Sequence, residues 1–464
     1  GDKYVFTPSL RPELSSVYGT KTKWDFNPSL AVRWNIYKES FMKRLEFINK
    51  MAIRASWGQV VKYKATRYDV WGTYDIKPDN TYGGESYIPI DFKTLPNAQL
   101  DPITTTSWNL GYELGLFNNR ISLDVDAYYR QIDNQLSTIA TPDHSGFEEM
   151  KSTETSLVNY GLEFSLTGRP LPLQSDWDLT CNLNFAINRD VVTKLPNEAR
   201  QILNQKANIA NKLGMNTTSL LMYINKGVYA TDADVPVDPA TGKRLRVGGN
   251  DTQDAYFKAG DPIWVDMNGD YIIDEKDKVI AGNIRPKVTG GFWINLSYKN
   301  FSVHTNASFV LRRDIVNKVL ADNLAAYTSP LKKKIDELRE KAALVPIDSY
   351  NFWTKEDPYN AVYPNPFDYT HANVIKPFRD DQTLFIEDGS YFKINTVSLS
   401  YRFPKPWLDF FRLRSVVLKA SVNNIYTFSG YSGISPESVN GLGRDNSGGY
   451  PNSRTWTVGV TIGL

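Results

Sequence analysis

The stretch Thr106-Ser107-Trp108-Asn109-Leu110-Gly111-Tyr112-Glu113-Leu114-Gly115-Leu116-Phe117-Asn118-Asn119-Arg120-Ile121-Ser122-Leu123-Asp124-Val125-Asp126-Ala127-Tyr128-Tyr129-Arg130 decides the fold. Trp108, Leu110, Tyr112, Leu114 and Leu116 alternate with Asn109, Gly111, Glu113 and Gly115. After Asn118-Asn119 the alternation resumes, with Ile121, Leu123, Val125, Ala127 and Tyr129 set against Ser122, Asp124, Asp126, Tyr128 and Arg130. Successive side chains of a strand point to opposite faces, so each run has one apolar and one polar side. Asn118-Asn119 suits a tight turn because Asn tolerates the left-handed backbone. Each run is roughly 10 residues long, the length of a tilted membrane-spanning strand. Soluble strands more often have about 5 or 6 residues.

The pattern recurs outward from this hairpin. Further apolar sides are Trp177, Leu179, Cys181, Leu183, Phe185 and Ile187; Phe292, Ile294, Leu296 and Tyr298; and Phe301, Val303, Thr305, Ala307 and Phe309. The chain finishes on Trp456, Val458, Val460, Ile462 and Leu464. Strands are predicted at 106–117, 120–132, 156–167, 176–188, 289–298, 301–313, 390–403 and 415–427, then at the C-terminus. Short links at 118–119, 168–170, 299–300 and 404–406 alternate with long ones at 133–155, 189–288, 314–389 and 428–453. A soluble sandwich shares the alternation of side chains but not this alternation of links. Short periplasmic turns and long extracellular loops are the pattern of outer-membrane barrels, and the phase puts the C-terminus at the periplasm. Trp24–Trp34, Met51–Val60 and Gly1–Leu10 read as earlier strands. The fold class is thus all-β, a transmembrane antiparallel β-barrel with about 12 to 14 strands in residues 1–464.

Composition agrees. Net charge is +2 over 464 residues, which gives no footprint for nucleic acid. No apolar run reaches the roughly 18 residues of a transmembrane helix, a test that barrel strands escape. The single cysteine, Cys181, excludes an internal disulfide framework and a cysteine metal site. The opening Gly1-Asp2-Lys3 lacks the features of a secretion signal, which is expected in a segment outside these residues. Pro330–Ala343 reads as a solvated helix within the 314–389 excursion.

Catalysis has no foothold. His144, His304 and His371 are scattered, and neither G-x-S-x-G nor H-E-x-x-H occurs, so the chain is not expected to be an enzyme. His304 sits at a polar strand position and is expected to line the lumen. The strongest local motif is Asp266-Met267-Asn268-Gly269-Asp270-Tyr271-Ile272-Ile273-Asp274-Glu275-Lys276-Asp277. Asp266, Asn268, Asp270, Asp274 and Asp277 place side-chain oxygens at positions 1, 3, 5, 9 and 12, and Ile272 offers a carbonyl at 7. That spacing wraps a loop around Ca²⁺. Tyr271 stands where the tight turn wants Gly, and Asp277 where a bidentate Glu is usual. The other reading is an acidic loop held by its own Asx-turns. Trp108 and Trp456 suit membrane-interface girdles. Trp264, Trp353, Tyr359, Tyr363 and Tyr369 suit either sugar or partner contact or internal packing of the loops.

Several blocks, in order, resemble the C-terminal half of SusC-like (RagA-like) TonB-dependent transporters of the Bacteroidetes outer membrane. They include Phe26-Asn27-Pro28-Ser29-Leu30-Ala31-Val32-Arg33-Trp34, Met51-Ala52-Ile53-Arg54-Ala55-Ser56-Trp57-Gly58, and the 104–121 hairpin. Gly389-Ser390-Tyr391-Phe392-Lys393-Ile394 and Ser421-Val422-Asn423-Asn424-Ile425-Tyr426-Thr427-Phe428 continue the likeness. The resemblance implies a barrel of about 22 strands that imports oligosaccharides or peptides. It implies a SusD-like surface lipoprotein as partner, and energy from TonB–ExbB–ExbD delivered through a plug. No plug is read in residues 1–464, so the plug and the remaining strands are expected in an N-terminal segment or a separate chain. The alternative is a barrel subunit with a structural or assembly role in a larger outer-membrane complex, without transport.

Overall fold

A computed structural model of the chain describes residues 2–15, 24–75, 81–82, 85–86, 88–172, 174–204, 208–248, 251–328, 350–410, 412–445 and 452–463. Pro330–Ala343, read above as a helix, lies outside the described residues. Among the described residues, twelve long strands form one antiparallel meander in which each pairs with the next. They are β1 (Tyr4–Leu14), β2 (Trp24–Asn35), β3 (Ile48–Lys62), β4 (Ile103–Leu116), β5 (Ile121–Ala140) and β6 (Glu149–Gly168). β7 (Trp177–Lys194), β8 (Val288–Tyr298), β9 (Phe301–Leu311), β10 (Tyr391–Arg402), β11 (Ser415–Ser429) and β12 (Thr455–Gly463) complete the sheet. Among the described residues, β1 and β12 pair on one side only.

The register follows from the alternation. Trp108 lies opposite Trp57 on one side and Tyr129 on the other, and Tyr129 lies opposite Tyr160. This aromatic row crosses four strands toward the long-loop end of the outer face. Near the short turns Trp177 meets Tyr298 at 4.4 Å and Phe301 meets Tyr401 at 4.6 Å. Such paired girdles suit the two interfaces of a bilayer, where rings with a polar edge are favoured.

The links at 118–119 and 299–300 are tight turns as expected, with Lys299 at φ 52° between β8 and β9, whereas the link predicted at 404–406 extends from Arg402 to Ser415 and holds a short helix over Lys405–Phe410. One predicted loop is corrected. Most of 133–155 is strand, because β5 runs to Ala140 and β6 begins at Glu149. The apolar alternation fades there because that part of the hairpin lies beyond the girdle and has no lipid-facing side. Asn134 at φ 58° and the shifts of register between Ile132 and Ser137 disturb it further.

Among the described residues four short α-helices decorate the links: α1 (Arg67–Trp71), α2 (Lys318–Tyr327), α3 (Tyr369–Ile375) and α4 (Lys405–Phe410). At the long-loop end, the described residues of 195–287, 312–390 and 430–454 fold together into a cap. One cap core joins Leu220, Met222, Val316, Leu324, Phe352 and Phe385; a second joins Tyr223, Phe257, Trp264, Ile273 and Ile375. Burying side chains of this size contributes about 1.5–3 kcal/mol each. Within the loop 63–102, Val70 and Leu100 form a separate cluster against Leu136 of the projecting hairpin.

Candidate functional site: the inner face and its cap

Directly opposed residues in an antiparallel sheet share a face. The chain Arg33, Arg54, Gly111, Asp126, Glu163 therefore crosses β2 to β6 on the polar side. Glu113, one pleat along β4, is the hub. Arg33 donates to both its oxygens, Nη1 at 2.8 Å and Nη2 at 2.7 Å. Lys50 Nζ lies 2.7 Å and Arg54 Nε 3.1 Å from the same carboxylate. Arg54 also donates from Nη2 to Asp126 at 2.6 Å. The Arg33–Glu113 and Arg54–Asp126 contacts each reach across an intervening strand.

Two glycines make the skipping possible. A Cβ at Gly111 would lie 2.7 Å from both Arg54 Nε and Asp126 Oδ1. At Gly161 it would lie 2.5 Å from the Ile187 carbonyl and 2.8 Å from Asn188 Oδ1. Tyr128 passes over Gly161 to donate to Asn188 at 2.6 Å. A polar cleft of about 730 Å³ opens beside these contacts, lined by Arg54, Asp126, Tyr128, Glu163, Asn188 and Arg285 among others. Further round, Asn182 donates to Ser165 at 3.1 Å and Thr167 at 2.9 Å, and Thr396 donates to Asn423 at 2.9 Å. His304 lies 2.5 Å from Asn295 on the same polar face, as its strand position predicts.

The cap is held by buried polar joints. Gln382 is fully buried; its amide donates to the Pro377 and Arg379 carbonyls and accepts from Trp264 Nε1 and Asn225 Nδ2, both at 2.8 Å. Asp381 is paired by Lys278 at 2.7 Å and by Arg379. The Arg379 guanidinium stacks 4.5 Å from the Tyr223 ring. Burial pushes the Asp381 carboxyl up, but Arg379 and Lys278 outweigh it and hold it below the usual carboxylate value. Asp261 and His371 form a second buried joint at 2.7 Å, bringing α3 onto the 195–287 segment. Val316 exchanges main-chain hydrogen bonds with Gly443 and Asp445, tying in the third segment.

All six residues predicted to ligate calcium fall in one turn of this cap. Asp266 accepts from the N–H groups of Gly269 at 2.7 Å and Tyr271 at 2.8 Å. Asn268 accepts from Asp270, Asp270 from Ile272, and Asp274 from Lys276. Asp277 is fully buried and accepts from Met267 and Asp274, both at 2.8 Å. Ile272 pairs with Arg246 as a short parallel strand. Burial raises the Asp277 carboxyl above its ordinary value. The carboxylates thus hold the loop's own main chain, and among the described residues no three His, Cys, Asp or Glu side chains converge as a metal site. The loop aromatics divide. Trp264 and Trp353 are buried and Tyr363 packs against Phe352, whereas Tyr359 and Tyr369 are exposed.

The Glu113 cluster and the Lys278–Asp381–Arg379 cluster were not singled out from sequence. Glu113 carried a signal: it is the one charge among the polar positions of β4. Asp381 carried none.

The family described as TonB dependent receptor-like, beta-barrel matches residues 1–425. The chain belongs to that family. The TonB-dependent receptor-like barrel is 27% identical over 490 residues to TonB-dependent receptor P3 of Formosa agariphila, covering 99% of this chain and 44% of that protein. It is 26% identical over 482 residues to TonB-dependent receptor SusC of Bacteroides thetaiotaomicron, covering 99% and 42% respectively. In fold it is similar to the RagAB peptide importer in its closed-closed state, with TM-score 0.75 and 20% identity over 100% of this chain and 46% of that one. The barrel therefore spans less than half the length of these relatives. It is an integral outer-membrane barrel of a receptor family, with its long loops outside and its short turns at the periplasm.

Proposed function

We propose that this barrel is the wall of a SusC-like importer that carries oligosaccharides or peptides across the outer membrane. Its energy would come from TonB–ExbB–ExbD through a plug, and a SusD-like lipoprotein would seat on the cap. The observation that carries the reading is the division of the sheet into two chemistries. An apolar outer face between two aromatic girdles backs a polar inner face that runs from a folded cap to the short turns. A barrel lined this way gives polar solutes a route through lipid. The likeness to SusC supports the system as a whole.

The test is uptake in the native host of radiolabelled neutral oligosaccharides and of radiolabelled peptides, with and without a working TonB. Uptake that disappears with TonB, and co-purification of a surface lipoprotein with the barrel, are the expected results. Uptake unchanged by loss of TonB would defeat the energised reading. Absence of any uptake dependent on this chain would leave the structural or assembly role.

A further inference from the structure

At the periplasmic end, β8 and β9 are joined by a two-residue turn, whereas the link from β10 to β11 carries α4. This helix turns large apolar side chains to the surface. Leu408 is buried, but Trp407 is 61% and Phe410 81% exposed. Residues three apart share one side of a helix, so the two rings belong to one face. That face adjoins the lipid-facing side of the sheet. Phe301 and Tyr401 lie opposite each other on the outer face. Phe403 continues it, since its N–H donates to the carbonyl of Val416, which lies opposite Ile462. The Phe403 ring stands 5.2 Å from Tyr401 and 6.4 Å from Trp407. The periplasmic girdle that begins at Trp177 and Tyr298 therefore continues onto α4.

Cations flank the two rings. Lys405, Arg412 and Arg414 are exposed, and among the described residues none of them makes an ion pair. Asp409 is the one acid between Phe403 and Ser415. Arg414 donates its N–H to the Gly463 carbonyl and stands two residues before the outward Val416, so strand alternation puts it on the lipid side. Arg412 follows the helix at φ 55°, in the left-handed region that Gly occupies without steric cost. The chain thus keeps a cation where its backbone favours glycine. We propose that α4 is an interfacial anchor that binds anionic phospholipid of the periplasmic leaflet. Trp407 and Phe410 enter the boundary between headgroups and acyl chains, and Lys405, Arg412 and Arg414 engage lipid phosphates. Aromatic rings beside Lys and Arg are the composition that holds a helix in that boundary. Long basic side chains keep their stems in the apolar zone and carry their charge to the phosphates. The anchor depends on the orientation of the barrel and not on its cargo.

The test uses the full receptor, purified with its partners from the native outer membrane. A nitroxide label is attached at Phe410→Cys in a Cys181→Ser background, and a second preparation carries it at Trp407→Cys. Each is placed in nanodiscs of phosphatidylcholine with phosphatidylglycerol. Collisions of the label with oxygen, which concentrates in the bilayer, are compared with collisions with a water-soluble nickel chelate. Oxygen should dominate at both positions. Dominance of the chelate would put the helix in the periplasm, and protection from both reagents would show that protein covers it; either result overturns the anchor. The phosphate contacts are tested by titrating phosphatidylglycerol into phosphatidylcholine nanodiscs and reading the mobility of the label at 410. The half-saturating fraction of phosphatidylglycerol should rise about fivefold in each of Arg412→Gly and Arg414→Gln. Arg412→Gly also relieves the left-handed backbone, so its melting temperature should hold or rise while lipid binding weakens. An unchanged titration in both variants, or one that shifts only together with a falling melting temperature, would overturn the phosphate assignment.

Discussion

The barrel wall and the cap each contain a carboxylate surrounded by cations, and the two are built for different surroundings. Glu113 lies on the polar face with Arg33, Lys50 and Arg54, whose side chains are 32%, 41% and 39% exposed. Asp381 lies in the cap with Lys278, and their side chains are only 5% and 2% exposed. The wall cluster keeps its cations in contact with water, so screening limits what each contact contributes. The cap cluster has given up its hydration and depends on complete pairing. The same residue types thus line the polar inner face in one place and lock a fold in the other.

The largest expected effect tests the cap side of that contrast. Asp381→Ala leaves Lys278 and Arg379 buried without their partner and should destabilise the cap by about 3–5 kcal/mol. Hydrogen exchange should accelerate in Ser219–Met222 and Pro262–Trp264 while β4 to β7 stay protected. Uniform acceleration would show that cap and wall unfold as one unit. Next in size is Gly161→Ala. The added Cβ meets the Ile187 carbonyl, which cannot swing aside, so a loss of about 2 kcal/mol is expected in the thermal unfolding of the detergent-solubilised protein. The matching change Gly111→Ala meets side chains and no backbone, Arg54 at Nε and Cγ and Asp126 at Oδ1, and should cost less. Equal losses would contradict the steric account. Glu113→Gln should cost about 1–2 kcal/mol by the same measurement, because water compensates the three released cations. A loss as large as that of Asp381→Ala would erase the distinction between the clusters.

The legibility of the two regions in sequence differs for a physical reason. Wall strands bury one face in lipid, which imposes a strict two-residue period, and Trp108 to Tyr129 could be placed correctly from that period alone. The period also placed His304 on the polar face. It gave way where its cause does, beyond the girdle, and there the reach of β5 and β6 was underestimated. The cap has no period, since its cores are assembled from short segments distant in sequence. Gln382 joins Trp264 and Asn225 across more than 110 residues, and nothing local marks it. The Asp266–Asp277 loop was legible as a folded acidic turn, and its Asx-turn reading matches the hydrogen bonds. The clustering around Glu113 needed the register, because Arg33 and Glu113 come together only when β3 lies between them.

Two smaller effects sharpen the comparison further. Paired Asp381 is held below the ordinary value of 3.8, so the unfolded chain takes up the proton first as pH falls. Its contribution is complete above that value and is lost as pH drops through the lower folded one. Cap exchange should quicken below about pH 4, and Asp381→Asn should abolish that share of the acid dependence. An unchanged acid profile would remove Asp381 from the account. Smallest is calcium. With both oxygens of Asp266 and of Asp277 already engaged by main-chain N–H groups, adding Ca²⁺ or a chelator should move cap stability by less than about 0.5 kcal/mol. A clear calcium-dependent rise in melting temperature would assign the loop to the metal.

The long β5–β6 hairpin sets a height. From Tyr129 in the girdle to Ala140 at its tip, a strand rising about 3.3 Å per residue at about 45° tilt climbs roughly 25 Å. The 63–102 loop braces this upright through Val70 and Leu100 against Leu136, and through Thr94–Leu95 paired with Glu149–Met150. The rim on this side is therefore a fixed parapet standing clear of the lipid headgroups. Whatever comes to rest on the mouth of the barrel meets a raised protein edge, and its tilt is decided by that edge before it touches the membrane.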